Sequence, residues 1–209
     1  MKIVFFGDSI TDAGRNREQV DANSGLGNGY VFCASAALLN KDLEKYEIYN
    51  RGIGGNRVVD LYSRIKCDCW NLEPDVINIL VGVNDVWHEI RRSNGVEINR
   101  FENIYRTILA ETIERLPNVK IIICEPFFLK GTATEEQYEK FLAVKEYAKV
   151  VKKLAEEFSL PFVSLQKVYD EAGDKYGNDK LLRDGVHPTT EGAVILANEW
   201  LKAFEAIDK

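Results

Sequence analysis

The sequence has few histidines, few cysteines and no long apolar run, and each shortage excludes a class of function. It contains only two histidines and four cysteines in 209 residues. The cysteines lack the paired spacing of a zinc knuckle or a redox motif, and we interpret them as reduced thiols, at positions 33, 67, 69 and 124. A chain of this length buries enough surface to fold without disulfides. No apolar stretch approaches the roughly 20 residues that a membrane span requires.

Clustered basic residues and a signal peptide are also missing. Lys2 is followed only by the short run IVFF before a polar Gly-Asp-Ser turn, which does not fit the regions of a secretory signal. We therefore expect a cytoplasmic protein with no membrane partner. The net charge is −6, and basic pairs such as Arg91-Arg92 are isolated. Because a phosphate backbone requires clustered Lys and Arg, we interpret such pairs as solvated faces and expect no nucleic-acid partner.

Short apolar runs rich in β-branched residues alternate with amphipathic segments along the chain. The runs predict five strands, at residues 2–6, 47–50, 76–81, 119–124 and 161–165. Apolar residues at three- and four-residue steps predict helices, at residues 30–45, 57–70, 99–116, 134–159 and 189–206. We expect one α/β domain over residues 1–209: a three-layer α/β/α sandwich with a five-stranded parallel sheet.

Polar residues follow the predicted strands at the edge where an open parallel sheet binds its ligands. Gly-Asp-Ser at 7–9 follows the first strand, and a glycine-rich run at 52–55 follows the second. Asn-Asp at 84–85 follows the third, and one loop after the fifth carries Asp-x-x-His at 184–187. Acyl transfer requires a serine, a base, a carboxylate that orients the base, and N–H donors for the oxyanion. These residues therefore predict a serine hydrolase site.

Each part alone also fits a role without chemistry. The Gly-Asp-Ser stretch is suitable for a strand-to-helix turn with Asp8 or Ser9 as the helix cap, and Asn84-Asp85 is suitable for a turn or a cap pair. The glycine run is suitable for a tight turn or a phosphate cradle. His88 is a rival base, with Asp85 three residues before it, but we expect His88 to have a substrate-side or surface role. Asp8, Asp184 and His187 together are an alternative metal site, against which the lack of a His-x-x-x-His pattern argues. The presence of all the parts in one chain favours the hydrolase.

The order of these blocks resembles that of the SGNH, or GDSL-type, serine hydrolases, from Lys2 to the last helix. No Gly-x-Ser-x-Gly elbow, Gly-x-Gly-x-x-Gly loop or Walker lysine loop is present. The resemblance implies a flavodoxin-like SGNH fold and no metal or other cofactor. It also implies a catalytic set, which consists of Ser9, Gly55, Asn84, Asp184 and His187.

The resemblance gives each member of this set a role. Ser9 is the nucleophile, His187 is the base, and Asp184 orients the base. The oxyanion donors are the Ser9 N–H, the Gly55 N–H and the Asn84 side-chain amide. Because glycines crowd this loop, position 54 is the alternative to Gly55.

Five stretches are similar to the bacterial acetyl xylan esterases of this superfamily, namely GDSITDAGR, GNGYV, GVNDVW, EPFFLKG and DGVHP. That similarity implies deacetylation of xylo-oligosaccharides inside the cell by a homo-oligomer. Trp87 is the aromatic residue that we expect to bind the sugar, because aromatic faces stack on sugar rings. Tyr30 and the pair at 127–128 lie near the same predicted edge, with core packing as the alternative for the two phenylalanines.

Two rival functions remain open. A short-chain acyl esterase, lysophospholipase or thioesterase would use the same catalytic set. Faster turnover of octanoyl than of acetyl esters would favour these enzymes. A non-catalytic carbohydrate-binding protein would keep the fold, since fold alone does not determine activity. The complete catalytic set argues against it.

Overall fold

A five-stranded parallel sheet organises the chain in the computed structural model, which describes residues 1–19 and 23–208. The strand order is β2-β1-β3-β4-β5, and every neighbouring pair is parallel. The strands are β1 (Lys2–Gly7), β2 (Glu47–Gly52), β3 (Val76–Leu80), β4 (Lys120–Cys124) and β5 (Phe162–Val163). All five predicted strands are present, although the last is only two residues long.

Helices cover the sheet on both faces. The described residues form α1 (Ser9–Asp12), α2 (Tyr30–Lys41), α3 (Val58–Asp68), α4 (Val83–Arg92), α5 (Ile98–Arg115), α6 (Tyr138–Phe141), α7 (Val144–Glu157), α8 (Gln166–Tyr176), α9 (Asn178–Leu181) and α10 (Thr190–Ile207), with 3-10 turns at Asn23–Leu26 and Trp70–Leu72. Helices α2 and α10 pack together, whereas α3, α5 and α7 pack in a second row. Right-handed crossovers place these groups on opposite faces, because the chain moves in opposite directions from β1 to β2 and from β2 to β3. The predicted α/β fold is confirmed.

One predicted helix is divided in the structure. The helix predicted over 134–159 does not begin at residue 134. Thr134 Oγ donates to the Leu129 carbonyl oxygen at 2.7 Å, and this hydrogen bond holds a turn before α6 begins at Tyr138. Residues 142–143 separate α6 from α7, and the Ala143 N–H bonds there to a carbonyl three residues back rather than four. The apolar spacing is preserved across the break, so periodicity alone gives no sign of it.

Helices α4, α8 and α9 were not predicted. Residues 83–92 are mostly polar in sequence, and their helix begins directly after Gly82, whose φ is +140°. Helix α8 buries only Tyr169 and Gly173, too few residues to give an apolar period. The helix predicted over 30–45 ends earlier, at residue 41, because the Asp42 carboxylate accepts the N–H groups of residues 44 and 45.

The strand order reverses at β1, whose neighbours are β2 and β3. An open α/β sheet forms its crevice at such a point, beyond the carboxyl ends of the strands. Close packing at this edge requires glycine at the end of β2. A Cβ on Gly52 would lie 2.1 Å from the Asp12 nitrogen and 2.6 Å from the Thr11 carbonyl carbon. The absence of that side chain therefore lets α1 rest directly on the end of β2.

No helix within residues 1–19 and 23–208 has the length and apolarity to cross a membrane. The organisation of residues 1–209 as one domain stays a prediction.

Candidate active site

Ser9 lies at the carboxyl end of β1, at the first position of α1. Asp8 caps this helix, because its Oδ1 accepts the Ile10 N–H at 2.9 Å. Gly7 permits the tight turn between strand and helix. A Cβ at this position would lie 2.5 Å from the Leu80 carbonyl oxygen. The local sequence therefore places Ser9 just beyond the sheet edge.

A hydrogen-bonded chain joins Ser9, His187 and Asp184. Ser9 Oγ lies 2.9 Å from His187 Nε2, and His187 Nδ1 lies 2.7 Å from Asp184 Oδ2. The other carboxylate oxygen of Asp184 accepts the backbone N–H groups of Val186 at 3.0 Å and His187 at 2.8 Å. Four polar contacts therefore fix both side chains in the loop between α9 and α10.

Asp184 is held in its ionised form. Burial raises the pKa of this carboxyl, but the hydrogen bonds from His187 and from the two backbone N–H groups outweigh burial and bring the pKa well below its ordinary value. An ionised carboxylate at Nδ1 favours the imidazole tautomer with its proton on that nitrogen. Nε2 is then free to accept the Ser9 hydroxyl proton.

The glycine-rich loop after β2 lies beside Ser9. The Gly54 N–H donates to Asp12 Oδ2 at 3.0 Å. Among the described residues, no hydrogen bond from the Gly55 N–H is found. Gly55 has a φ of +82° and lines a cavity together with Ser9 and Asn84. Of the two neighbouring glycines, Gly55 is thus the one whose N–H is uncommitted.

Asn84 lies at the start of α4 and is 4% exposed. Its Nδ2 donates to the Asn56 carbonyl oxygen at 3.0 Å and lies 3.5 Å from Asp8 Oδ2. The first contact orients the amide firmly. The second is at the limit of hydrogen bonding, so its proton is the one available to a new acceptor.

Two buried carboxyl groups lie behind the site. Asp8 is 1% exposed, and Asp85 is 0% exposed. Burial raises the pKa of Asp8 to about 7, although the Ile10 N–H and the charge of His187 oppose the shift. Burial also raises the pKa of Asp85 well above its ordinary value, with the Val58 N–H opposing the shift. Asp8 is therefore protonated at mildly acidic pH.

Two cavities share Ser9 and His187 in their walls. The first, here called the Asn84 cavity, has a volume of about 200 Å³ and is otherwise lined by Gly55, Asn84, Trp87, His88, Arg91 and Arg92. The second, here called the Asn28 cavity, has a volume of about 260 Å³, and its walls include Asp12, Gly14, Asn28 and Arg183. A substrate at Ser9 therefore has room for a group in each cavity.

Of the aromatic residues expected near the site, only Trp87 lines a cavity with Ser9. It is 8% exposed, and its ring centroid lies 5.9 Å from that of His187. The expectation for Tyr30 is wrong, because this residue is fully buried and its hydroxyl bonds to Thr11 Oγ and Asn78 Nδ2. The two phenylalanines at 127–128 are buried as well, so the core interpretation is correct for them.

His88 lines the Asn84 cavity but has no hydrogen bond to a carboxylate among the described residues. Burial lowers its pKa, and the positive charges of Arg57 and Arg92 lower it further. Within residues 1–19 and 23–208, no group of three or more His, Cys, Asp or Glu side chains is placed to hold a metal ion.

Arg64 and Asn56 hold the site together, and no sequence pattern indicates either role. Arg64 donates to Asn56 Oδ1 at 2.7 Å and to the carbonyl oxygens of Gly7 at 2.9 Å and Arg51 at 2.8 Å. One guanidinium thus ties together the ends of β1 and β2 and the glycine-rich loop. An arginine on an amphipathic helix has the pattern of a solvated residue, so only its tertiary contacts identify this function.

Comparison with known proteins identifies the family that carries this fold and site. The model of the GDSL-like lipase/acylhydrolase family matches residues 5–195. The chain is 35% identical to the acetylxylan esterase of Geobacillus stearothermophilus, over 96% of this chain and 92% of that protein. It is 27% identical to the isoamyl acetate-hydrolyzing esterase of Saccharomyces cerevisiae, over 98% of this chain and 86% of that protein.

Solved structures agree with these relatives. The crystal structure of the G. stearothermophilus esterase has a TM-score of 0.86 with 34% identity, over 97% of this chain and 93% of that chain. Three variants of that esterase, with alanine in place of a serine, an aspartate or a histidine, are described as catalytic mutants. A GDSL-like lipase from Parabacteroides merdae has a TM-score of 0.90 with 40% identity, over 98% of this chain and 95% of that chain.

The chain belongs to the GDSL-like lipase/acylhydrolase family. It is a carboxylic ester hydrolase, and the SGNH resemblance predicted from its sequence blocks is confirmed.

Proposed function

We propose that this protein is a serine acetylesterase that deacetylates acetylated xylo-oligosaccharides or related acetylated sugars. The observation that carries the proposal is the hydrogen-bonded chain from Ser9 through His187 to Asp184, with contacts of 2.9 and 2.7 Å. The 35% identity to the acetylxylan esterase of G. stearothermophilus supports the substrate class. The catalytic mutants of that esterase replace a serine, an aspartate and a histidine, which supports the same set of residue types here.

In the first half of the reaction, Ser9 attacks the acetyl carbonyl carbon while its hydroxyl proton passes to His187 Nε2. The charge that develops on nitrogen is stabilised by the Asp184 carboxylate. The tetrahedral intermediate then collapses, the bond to the sugar oxygen breaks, and Nε2–H protonates that oxygen. The sugar leaves with a free hydroxyl, and the acetyl group remains on Ser9.

In the second half, water takes the place of the sugar. His187 accepts a proton from this water, whose oxygen attacks the acetyl carbon. Collapse of the second intermediate releases acetate, and the proton returns from Nε2 to Ser9 Oγ. The enzyme is then back in its starting state, and one ester bond has been hydrolysed.

Three donors receive the oxyanion in both halves: the backbone N–H groups of Ser9 and Gly55 and the side-chain amide of Asn84. The position of Ser9 at the start of α1 leaves its N–H without a helical acceptor. The Gly54 N–H is already bonded to Asp12, which favours Gly55 as the second donor. In Asn84, the proton facing Asp8 at 3.5 Å is the one that turns to the oxyanion.

The two cavities favour a small acyl group and a polar alcohol. Neither cavity is larger than about 260 Å³, and the polar residues in the wall of the Asn28 cavity, among them Asp12, Asn28 and Arg183, suit sugar hydroxyls better than an alkyl chain. Trp87 offers its ring as the surface against which a sugar packs. The lysophospholipase and thioesterase alternatives require a longer apolar channel.

A second candidate is an esterase of small alkyl acetates. It rests on the isoamyl acetate-hydrolyzing relative from S. cerevisiae. Arg91 and Arg92 argue against it, because they place charged groups around an alkyl alcohol in the Asn84 cavity, where Trp87 lies.

Acetate release from acetylated xylo-oligosaccharides, isoamyl acetate, p-nitrophenyl acetate and p-nitrophenyl octanoate tests the proposal, with wild type and Ser9→Ala compared. We expect release from the sugars that disappears in Ser9→Ala, and slow turnover of the octanoyl ester. A preference for octanoate contradicts the acetylesterase. Hydrolysis of isoamyl acetate with none of the sugar contradicts the sugar substrate and favours the second candidate.

A cytoplasmic location and assembly into homo-oligomers complete the proposal, as the sequence resemblance implies. Cell fractionation tests the first, and light scattering of the purified protein tests the second. Monomeric protein at assay concentration contradicts the assembly.

A further inference from the structure

Arg91 and Arg92 line the Asn84 cavity without a carboxylate partner. Both belong to the last turn of α4, and both are exposed. Among the described residues, neither forms an ion pair, whereas five of the nine other arginines do. Arg57, Arg64 and Arg106 all bind carboxylates at distances of 2.6 to 2.9 Å.

These charges reach the active site rather than facing only bulk water. The Arg91 guanidinium lies over the Trp87 ring, 4.6 Å from its centroid, and Trp87 in turn borders His187. The positive charges of Arg57, Arg92 and Arg91 lower the pKa of His88, in addition to the effect of its burial. In a chain with a net charge of −6, unpaired cations at the catalytic cavity indicate a ligand of opposite charge.

We propose that Arg91 and Arg92 bind a carboxylate on the alcohol part of the ester, so that the preferred substrates are acetylated oligosaccharides carrying a uronic acid residue. This inference rests on the proposed deacetylation of sugars. Arginine suits the role because its planar guanidinium binds a carboxylate through two parallel hydrogen bonds.

The interval along α4 between Asn84 and the two arginines favours a carboxylate in the alcohol rather than in the acyl group. Arg91 and Arg92 follow Asn84 by about two helical turns, or roughly 10 Å along the axis of α4. The Trp87 ring fills part of that interval. A uronate on a sugar next to the acetylated one spans this distance past the Trp87 ring, whereas a short dicarboxylic acyl group bonded to Ser9 is too short to do so.

The structural alternative is that these arginines only stabilise the end of α4 and cover Trp87. Cations in the last turn of a helix interact favourably with its dipole. Arg115 provides a matched control, because it ends α5 and its guanidinium lies 4.4 Å from the centroid of the Trp70 ring. It has the same helix position and the same aromatic contact, but it lines neither catalytic cavity.

The test compares KM for acetylated xylo-oligosaccharides of equal length, with and without a glucuronic acid substituent. We expect wild type to have a KM roughly tenfold lower for the acidic sugar. We expect the double variant Arg91→Gln/Arg92→Gln to lose this preference and Arg115→Gln to keep it. Arg91→Lys/Arg92→Lys retains the charge and should keep part of the preference for the acidic sugar. Raising the ionic strength to about 0.5 M should weaken it in wild type, since salt screens exposed charges.

Equal KM values for the two sugars in wild type would overturn the inference, as would a preference that survives in the double glutamine variant. Hydrolysis of monomethyl succinate that depends on both arginines, without a preference for the acidic sugar, also overturns it by placing the carboxylate in the acyl group. Failure of the proposed function has a different signature: neither sugar releases acetate while p-nitrophenyl acetate is still hydrolysed.

Discussion

Asp184→Asn tests how the carboxylate controls His187. Two backbone N–H groups, at 3.0 and 2.8 Å, bind one carboxylate oxygen, and the other oxygen faces Nδ1. In the variant, the new amide oxygen keeps the two backbone hydrogen bonds, which are worth about 1 kcal/mol each. The amide NH₂ group then faces the imidazole and donates to Nδ1. This contact favours the imidazole tautomer that is unprotonated at Nδ1 and protonated at Nε2. In that tautomer, Nε2 can no longer accept the proton of Ser9.

We expect the kcat of Asp184→Asn for p-nitrophenyl acetate to fall by about 10⁴-fold, or about 5.5 kcal/mol of transition-state stabilisation. Asp179→Asn is the matched control, because it removes the same charge from an exposed position on the preceding helix. Its turnover should equal that of wild type. A loss smaller than tenfold in Asp184→Asn, in a variant with a normal circular dichroism spectrum, refutes the tautomer argument.

The same substitution changes the pH dependence of stability. The pKa of Asp184 is lowered in the folded state. Its ionised carboxylate therefore contributes to the free energy of unfolding above the unfolded pKa of about 3.9, and this contribution is lost as the pH falls through the folded pKa. The difference in Tm between wild type and Asp184→Asn should therefore shrink as the pH is lowered from 6 toward about 3. A difference that stays constant contradicts this.

Four further outcomes are expected. Asn84→Ala should lower kcat by about 100- to 1,000-fold, and wild-type turnover would remove it from the oxyanion site. His88→Gln should keep kcat within about fivefold, whereas a collapse of activity would make it the base. Gly52→Ala should prevent stable folding, because the new Cβ would lie 2.1 and 2.6 Å from backbone atoms. Gly54→Ala should have a Tm similar to that of wild type, because its Cβ would lie 3.8 Å from the nearest atom. Equal Tm values for the two variants would contradict the packing argument. Because the pKa of Asp8 is raised to about 7, the folded state binds an extra proton between about pH 4 and 7, and its stability falls as the pH rises through that window. The Tm of Asp8→Asn should therefore rise relative to that of wild type between about pH 4.5 and 7.5. A Tm difference that stays the same over this range would refute the argument.

The sheet, and the positions of Ser9, Asp184 and His187 beyond its edge, were predictable because their signals are local and ordered. Each buried strand is a short apolar run, and a parallel sheet gathers the residues that follow its strands. The Asp-x-x-His spacing of Asp184 and His187 fits one loop that carries both. The approach of Ser9 to His187, 178 positions apart, required the fold as an intermediate step.

Other features depend on tertiary contacts that no local pattern encodes. Tyr30 follows a glycine-rich loop and resembles a surface aromatic, yet Thr11 and Asn78 hold its hydroxyl inside the core. Arg64 reaches three separate segments through one side chain. The sequence pattern of Arg91 and Arg92 is that of a solvated face, and only the position of α4 against the site brings them to the cavity.

The measurement that tests the central claim most directly is mass spectrometry of the protein, quenched by acid within milliseconds of mixing with p-nitrophenyl acetate or an acetylated xylo-oligosaccharide. The proposed mechanism predicts a transient mass increase of one acetyl group, located by peptide mapping on Ser9 and missing in Ser9→Ala. Turnover by Ser9→Ala at the wild-type rate, or an acetyl group on another residue, would contradict it.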